Sequence, residues 1–248
     1  MPTFESFDGL TLSYQDDGDG DLVVLLHGFA ADTNINWVRS GIFDVLVDDG
    51  YRAVALDARG HGLSAKPHEP DAYADGAMTR DVQALLDLLG SSGCCVIGYS
   101  MGATTTMRLA AVDPRVTRVV LLGVGGVTIA DDGRDRRAFA AGLLVEDPST
   151  ITDPIAAQFR TLADSVRADR RALAAYASAE PPDVVGLLGQ IHVPALIIAG
   201  IDDELAGSPE DLAARIPGAT AVTVPGDHFT SNSQPSLHDA VIEFLASR

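Results

Sequence analysis

The sequence predicts an α/β fold, in which a mostly parallel, doubly wound sheet carries helices on both of its faces. Short apolar runs of strand length alternate along the chain with longer segments of helical period. This alternation predicts strand–helix–strand crossovers, which join parallel strands. The chain of 248 residues is long enough to bury one substantial core.

The predicted elements follow one another in a regular order. An antiparallel hairpin at residues 4–15 turns at Asp8-Gly9 and begins the sheet. The apolar runs that predict the later strands lie at 22–26, 53–56, 94–97, 116–122, 195–199 and 221–224. Helical spacing of apolar residues alternates with these runs at 37–47, 78–89, 101–111, 209–216 and 236–245.

Residues 125–190 interrupt the alternation. They contain no convincing strand, and helical spacing recurs at 138–145, 155–166 and 170–177, with the charged stretch 131–137 and Pro181-Pro182 as breaks. We interpret this segment as a small helical cap inserted after the sixth strand, with 1–124 and 191–248 forming the core. Because the segment is too short for a full core of its own, we expect one domain with an insertion.

Composition excludes several kinds of partner. The formal net charge of −18 should repel nucleic acids and anionic lipid surfaces, so no nucleic-acid partner is expected. No apolar run approaches the roughly 18 residues of a membrane span, so no membrane insertion is expected. The first residues lack the basic and apolar regions of a secretory signal, which predicts a cytoplasmic protein. The residues do not indicate an oligomeric state.

The cysteines do not indicate a metal site. Cys94 and Cys95 are adjacent and are the only two in the chain. Neighbouring strand residues point to opposite faces of a sheet, which predicts two buried, reduced thiols rather than a disulfide. Two cysteines also fall short of a zinc site made of cysteine alone.

One serine stands between two glycines where a predicted strand becomes a predicted helix. The stretch reads Gly98-Tyr99-Ser100-Met101-Gly102. A tight turn at this point puts Ser100 in a sparsely populated, left-handed backbone conformation, and the glycines let strand and helix approach closely. The hydroxyl then stands at a helix N-terminus, where negative charge is favoured. This is the geometry that a nucleophile needs.

A nucleophilic serine needs a base, and the base needs an orienting carboxylate. The strand at 195–199 is followed by Asp202 and Asp203, and the strand at 221–224 is followed by a Pro-Gly-Asp turn and His228. Both groups lie past the carboxyl ends of parallel strands, on the same edge of the sheet as Ser100. We predict that Ser100, Asp203 and His228 are catalytic, with Asp202 as the alternative acid.

The remaining candidates concern the oxyanion and the substrate. A tetrahedral oxyanion needs two N–H donors. We expect these to be the backbone amides of Met101, next to the serine, and of Phe29, in the loop after the strand at 22–26. The residues expected to line a substrate pocket, with core packing as the alternative for the cap residues and the tryptophan, are Trp37, Tyr99, Phe139, Leu143 and Phe159.

These motifs together resemble the α/β-hydrolase fold superfamily over nearly the whole chain. The resemblance implies the serine–aspartate–histidine triad, the two oxyanion donors and the helical cap named above. It also implies that Arg59 braces loops rather than binding substrate. A serine stands where dehalogenases and epoxide hydrolases have an aspartate nucleophile, which argues against those two reactions. The motifs are His27-Gly28-Phe29, residues 57–64 (DARGHGLS), 98–102 (GYSMG), 200–203 (GIDD) and 226–228 (GDH).

The predicted function is that of a serine hydrolase, which cleaves small carboxylic esters through an acyl-enzyme intermediate. This chemistry requires no metal and no cofactor, and a small-molecule ester is the expected partner. Cleavage of a carbon–carbon bond in a diketone, or haloperoxidase-like perhydrolysis, is the alternative on the same triad, because a fold does not fix the substrate. A non-catalytic ligand-binding receptor on the same fold is the alternative from another class.

Overall fold

The computed structural model describes residues 1–130, 135–180 and 183–247. At its centre is an eight-stranded sheet with the order β1-β2-β4-β3-β5-β6-β7-β8. Strands β1 and β2 pair antiparallel, as do β2 and β4, and every pairing from β4 through β8 is parallel. The strands are β1 (Thr3–Glu5), β2 (Thr11–Asp17), β3 (Leu22–Leu26), β4 (Arg52–Leu56), β5 (Cys94–Tyr99), β6 (Val116–Leu122), β7 (Ala195–Gly200) and β8 (Thr220–Val224).

Helices cover both faces of this sheet. Successive side chains of β5 alternate between two apolar clusters, with Val96 in one and Cys95 and Ile97 in the other. Both faces of the strand are therefore buried, which explains why its sequence is a continuous apolar run. The helices are α1 (Ile42–Asp48), α2 (Ala77–Leu88), α3 (Met101–Val112), α4 (Gly126–Ile129), α5 (Arg136–Leu144), α6 (Pro154–Ser165), α7 (Arg170–Ser178), α8 (Pro209–Ala213) and α9 (Pro235–Ala246).

The predicted fold class is confirmed, and the N-terminal hairpin lies at one edge of the sheet as its first two strands. One helix prediction is wrong. The single helix expected at 37–47 is two short elements, a π-helical turn at Asn34–Val38 and then α1. Gly41, with φ +89°, separates them. An L-residue rarely adopts this backbone conformation, so the glycine ends one element before the next begins.

Helices α4 to α7 lie between β6 and β7 in the chain. Three of them begin at an aspartate, Asp135, Asp153 and Asp169, whose carboxylate accepts hydrogen bonds from the first free amides of its helix. Their apolar faces form a third cluster with Phe29 and Met101, which follow β3 and β5. Four residues of the charged stretch expected as a break, 131–134, and the pair 181–182 lie outside the described residues.

A buried ion pair ties the loop after β4 to α2. Arg59 is fully buried and makes two hydrogen bonds of 2.6 and 2.7 Å to the carboxylate of Asp81, and another of 3.0 Å to Asp8. Removing one partner of such a pair would leave a buried charge uncompensated. This contact agrees with the expectation that Arg59 braces loops.

The two cysteines are free thiols in β5, and both are buried. Burial raises the pKa of each thiol above its ordinary value, which disfavours the reactive thiolate. Within the described ranges, no helix combines the length and the apolar character that crossing a bilayer requires.

Candidate active site

Ser100 occupies the turn between β5 and α3. Its backbone has φ 51° and ψ −107°, so φ is positive as expected, but ψ lies outside the left-handed helical region that the sequence predicts. Its N–H donates to the carbonyl of Leu122 in β6 at 2.8 Å, which fixes the turn to the neighbouring strand. Backbone strain of this kind costs about 1–3 kcal/mol and is concentrated at functional sites.

The glycines on either side of Ser100 are required by close packing. A Cβ on Gly98 would overlap the carbonyl oxygen of Gly102 and the hydroxyl of Thr106 in α3. A Cβ on Gly102 would overlap the carbonyl oxygen of Leu26 in β3. Neither overlap can be relieved by rotating a single side chain, because both involve backbone atoms. The predicted close approach of strand and helix is confirmed.

The hydroxyl of Ser100 lies within hydrogen-bond distance of His228. The distance from Oγ to the imidazole Nε2 is 3.1 Å. On the other side of the ring, Nδ1 is 2.9 and 3.0 Å from the two carboxylate oxygens of Asp203. The structure therefore brings Asp203 to the imidazole, whereas its neighbour Asp202 is exposed to solvent.

The carboxylate of Asp203 is held in one orientation. Its Oδ1 accepts hydrogen bonds from the backbone amides of Leu205 at 3.1 Å and Ala206 at 2.9 Å. The side chain has no solvent exposure. An acceptor fixed at Nδ1 places the ring proton there and leaves Nε2 free to accept a proton from Ser100.

Tyr99 fixes the loop that carries the histidine. Its hydroxyl donates to the carbonyl oxygen of His228 at 2.8 Å and lies 3.1 Å from the Ser231 hydroxyl. Burial raises the pKa of the Tyr99 phenol above its ordinary value, so the group stays protonated and keeps its donor. Tyr99 thus helps to hold the imidazole in place through the backbone of His228.

Two backbone amides are available beside the serine. Met101 is the first residue of α3, and Phe29 lies in the loop after β3; the side chains of both residues border the cavity that holds Ser100. In the described parts of the chain, neither N–H donates to a protein acceptor. The structure thus puts both predicted donor residues beside Ser100.

Two buried histidines hold the loop that contains Phe29. The ring of His27 lies between the carbonyl of Gly28, at 2.8 Å, and the amide of Ala58, at 3.0 Å. The ring of His61 lies between the carbonyl of Arg59, at 3.0 Å, and the amide of Ala30, at 3.3 Å. Each ring must be neutral to donate at Nδ1 and accept at Nε2.

Electrostatics keeps these two rings neutral. Burial lowers the pKa of His27, and burial together with the nearby ring of His27 lowers the pKa of His61 to about 3. His27 directly precedes Gly28 of this loop in the sequence, whereas His61 lies 31 residues beyond Ala30. The signal for His61 lies only in the fold, which packs the two rings 5.0 Å apart.

Two cavities meet at Ser100. The larger has a volume of about 310 Å³ and the smaller of about 110 Å³. Both are bordered by Phe29, Ser100, Phe159 and His228. Phe159 packs edge-on against Phe29, with ring centroids 5.4 Å apart, and contributes to both cavity walls.

The predicted pocket residues fall into two groups. Phe139 and Phe159 line the larger cavity, and Tyr99 lines the smaller one. The expectation that Trp37 and Leu143 line the pocket is wrong, because both are fully buried in apolar clusters and border neither cavity. Trp37 packs beneath the sheet with the residues of α1, and Leu143 joins the helices between β6 and β7.

Sequence reasoning missed several cavity residues. Thr104 and Leu205 follow the serine and the aspartate along the chain, whereas Val127, Thr128 and Arg136 come from α4 and α5. Their helical segments carry no spacing that identifies which side faces the serine. Only the packing of these helices over the sheet brings them to the cavity.

Comparison with known proteins agrees with this architecture. The sequence model described as the α/β hydrolase fold matches residues 21–142. A hydrolase from Pseudomonas aeruginosa PA01 superposes with a TM-score of 0.79 at 27% identity, over 99% of this chain and 98% of that one. The chain belongs to the α/β-hydrolase superfamily. This α/β hydrolase shares its scaffold with the Pseudomonas aeruginosa hydrolase over 99% of its length.

Two curated relatives differ in what their names say they act on. The mouse sn-1-specific diacylglycerol lipase ABHD11 is 38% identical over 160 residues, which cover 62% of this chain. The match spans only 49% of the length of the mouse protein. The 2-(acetamidomethylene)succinate hydrolase of Mesorhizobium japonicum is 27% identical over 92% of this chain and 88% of that protein.

Proposed function

We propose that this α/β hydrolase cleaves small carboxylic esters through an acyl-enzyme formed on Ser100. One observation carries the proposal: the imidazole of His228 lies 3.1 Å from the Ser100 hydroxyl on one side and 2.9 Å from the buried Asp203 carboxylate on the other. A serine hydroxyl becomes a nucleophile when such a base is held within reach of its proton.

In the first step, Ser100 Oγ attacks the ester carbonyl and Nε2 of His228 takes the hydroxyl proton. The imidazolium that forms carries a proton on both nitrogens. Asp203 stabilises that charge and keeps the ring oriented, while remaining ionised itself. The two backbone amides that bind Asp203 stop its carboxylate from rotating away during this step.

The tetrahedral intermediate places a negative charge on the former carbonyl oxygen. We assign its stabilisation to the backbone amides of Phe29 and Met101. The positive end of α3 adds to this stabilisation, because Met101 is the first residue of that helix. Loss of one oxyanion donor costs roughly 2.7–4 kcal/mol in transition-state stabilisation.

The leaving alcohol takes the proton that His228 now holds, and the carbon–oxygen bond breaks. A water molecule then loses a proton to His228 and attacks the acyl-enzyme. Collapse of the second intermediate returns the proton to Ser100 and releases the acid. Besides the ester and this water, every group in these steps is a side chain or a backbone amide of the chain itself.

The size of the site supports a small substrate. A cavity of about 310 Å³ at the serine lies at the lower end of ligand pockets. We infer that residues 125–190 act as a cap over a core made of 1–124 and 191–248, because the third apolar cluster joins these helices to Phe29 and Met101. Phe139 and Phe159 on the cap then provide apolar contacts for the substrate.

A panel of methyl esters with acyl groups of two to eight carbons tests the proposal. Purified wild-type protein and the Ser100→Ala variant are compared by acid release at constant pH. We expect sustained turnover by the wild type and loss of turnover in the variant, with unchanged thermal unfolding. Cleavage of a ring-cleavage diketone without ester turnover would favour carbon–carbon bond hydrolysis on the same triad. Formation of peracid without ester turnover would favour perhydrolysis. Binding without turnover would favour a receptor.

A further inference from the structure

An exposed cationic side chain borders the larger cavity. Arg136 is the first residue of α5 and borders the same cavity as Ser100. Its guanidinium donates to the carbonyl oxygen of Ala179, just beyond the end of α7, at 3.1 Å. This bond uses one of the five N–H donors of the guanidinium and ties the side chain between two helices.

A phenol hydroxyl accompanies this cation. Tyr176 borders the same cavity, and its ring stacks on Phe29 with centroids 5.5 Å apart and an interplanar angle of 29°. Burial raises the pKa of the Tyr176 phenol, and the nearby charge of Arg136 opposes that rise. The guanidinium and the phenol thus border one cavity, and in the described parts of the chain the Tyr176 hydroxyl makes no hydrogen bond.

The described lining of the cavity carries no negative charge that would oppose an anion at this pair. The chain carries a net charge of −18, yet the described residues that border the larger cavity include no aspartate or glutamate. The nearest carboxylate in the sequence, Asp135, caps α5 by accepting from the amides of Arg137 and Ala138. Most of the remaining wall is apolar, so an anion there finds its counter-charge at Arg136.

We propose that Arg136, with the hydroxyl of Tyr176, binds a carboxylate carried by the substrate. The inference rests on the proposed ester hydrolysis and names its substrate class: esters that bear a free carboxylate several bonds from the scissile carbonyl. Guanidinium and carboxylate form paired, charge-assisted hydrogen bonds, and a phenol O–H adds a third donor. The carboxylate belongs either to the acyl group or to the alcohol, and the experiment distinguishes the two.

The test uses matched pairs of esters that differ by one carboxylate. Monomethyl adipate and methyl hexanoate place it on the acyl group, and 4-acetoxybutanoate and butyl acetate place it on the alcohol. Each is assayed with wild type, Arg136→Gln, Arg136→Lys and Arg137→Gln. Arg136 and Arg137 are both exposed and adjacent on α5, but Arg137 borders neither cavity, so its variant is a control for net charge.

In one of the two pairs, we expect Arg136→Gln to raise KM for the charged ester about tenfold, because the substitution removes one charge-assisted contact. The neutral ester of that pair should keep its KM and kcat within about twofold, because it lacks the carboxylate that Arg136 is proposed to bind. Arg136→Lys should recover part of the effect, since lysine keeps the charge but not the fork of donors. Arg137→Gln should behave as wild type.

Other results overturn the inference in distinguishable ways. If Arg136→Gln raises KM for the charged and the neutral ester alike and lowers the unfolding temperature, the only role of Arg136 is its hydrogen bond to Ala179. If Arg137→Gln has the same effect as Arg136→Gln, the preference comes from net charge rather than from a binding site. If the neutral esters are hydrolysed and no variant changes the selectivity, the carboxylate site fails while the proposed function stands. If wild type hydrolyses none of the four, both fail.

Discussion

Replacing Asp203 by asparagine should abolish catalysis while preserving the shape of the site. The carboxylate Oδ1 accepts two backbone N–H groups, from Leu205 and Ala206, at 3.1 and 2.9 Å. An asparagine must therefore keep its carbonyl oxygen on that side. Its NH₂ group then occupies the place of Oδ2, which lies 2.9 Å from Nδ1 of His228.

An NH₂ group at that place favours the wrong tautomer of the histidine, because Oδ1, although 3.0 Å from Nδ1, already accepts two backbone N–H groups. In that tautomer Nδ1 accepts the amide hydrogen and the ring proton lies on Nε2, the nitrogen that faces Ser100 at 3.1 Å. Nε2 then has no lone pair with which to take the hydroxyl proton. The loss of a correctly placed carboxylate in such a triad lowers kcat about 10⁴-fold, which is about 5.4 kcal/mol in activation free energy.

The assay compares kcat for methyl hexanoate in wild type, Asp203→Asn and Asp202→Asn. The Asp202 variant is the matched control, because it makes the same chemical change at the adjacent, exposed residue. We expect the Asp202 variant to retain wild-type kcat and both variants to unfold near the wild-type temperature. A kcat for Asp203→Asn within about tenfold of wild type would refute the tautomer argument.

Three further predictions concern the frame around the site. Gly102→Ala forces α3 away from the β3 backbone, so kcat/KM should fall roughly 100-fold, whereas Gly189→Ala, in open space, should have no effect. The pKa of His61 is about 3 in the folded protein, against an ordinary 6.5. As the pH falls, the His61 ring is protonated in the unfolded chain before it is protonated in the folded one, so stability falls from pH 6.5 towards 3. At pH 5 the free energy of unfolding is lower by roughly 2 kcal/mol for this reason. Urea titrations should show a shallower acid decline for His61→Gln than for wild type or the exposed control His192→Gln; parallel declines would contradict this. Phe159→Ala removes the ring that borders both cavities, so it should destabilise the protein by about 3 kcal/mol and raise relative kcat/KM for bulkier esters, and an unchanged ester preference would contradict that role.

Much of the fold was predictable because the sheet is buried on both faces. The strand expected at 22–26 has the same limits as β3, and that at 116–122 the same limits as β6. Such strands read as continuous apolar runs, with limits set by the polar and glycine residues beside them. Since carboxyl ends of parallel strands share one edge, the same patterns also placed Ser100 near the aspartates and His228.

The choice of Asp203 over its neighbour Asp202 could be checked only with coordinates. The sequence pattern places both residues just past the same strand, and the turn after β7 buries Asp203 and exposes Asp202. Trp37 follows the oxyanion loop closely, which suggested a pocket residue, but a helical turn points its indole into the core. The sequence did not predict Arg136 as a cavity residue, because an arginine in a charged stretch is typical of a solvated helix end.

The central claim is that Ser100 is a nucleophile made reactive by His228. Labelling with a fluorophosphonate, followed by peptide mapping, tests it most directly, because the probe forms a stable bond only with an activated hydroxyl. We expect one phosphonylated residue, Ser100, and loss of the label in His228→Ala. An unlabelled Ser100, a label on another serine, or equal labelling without His228 would contradict it.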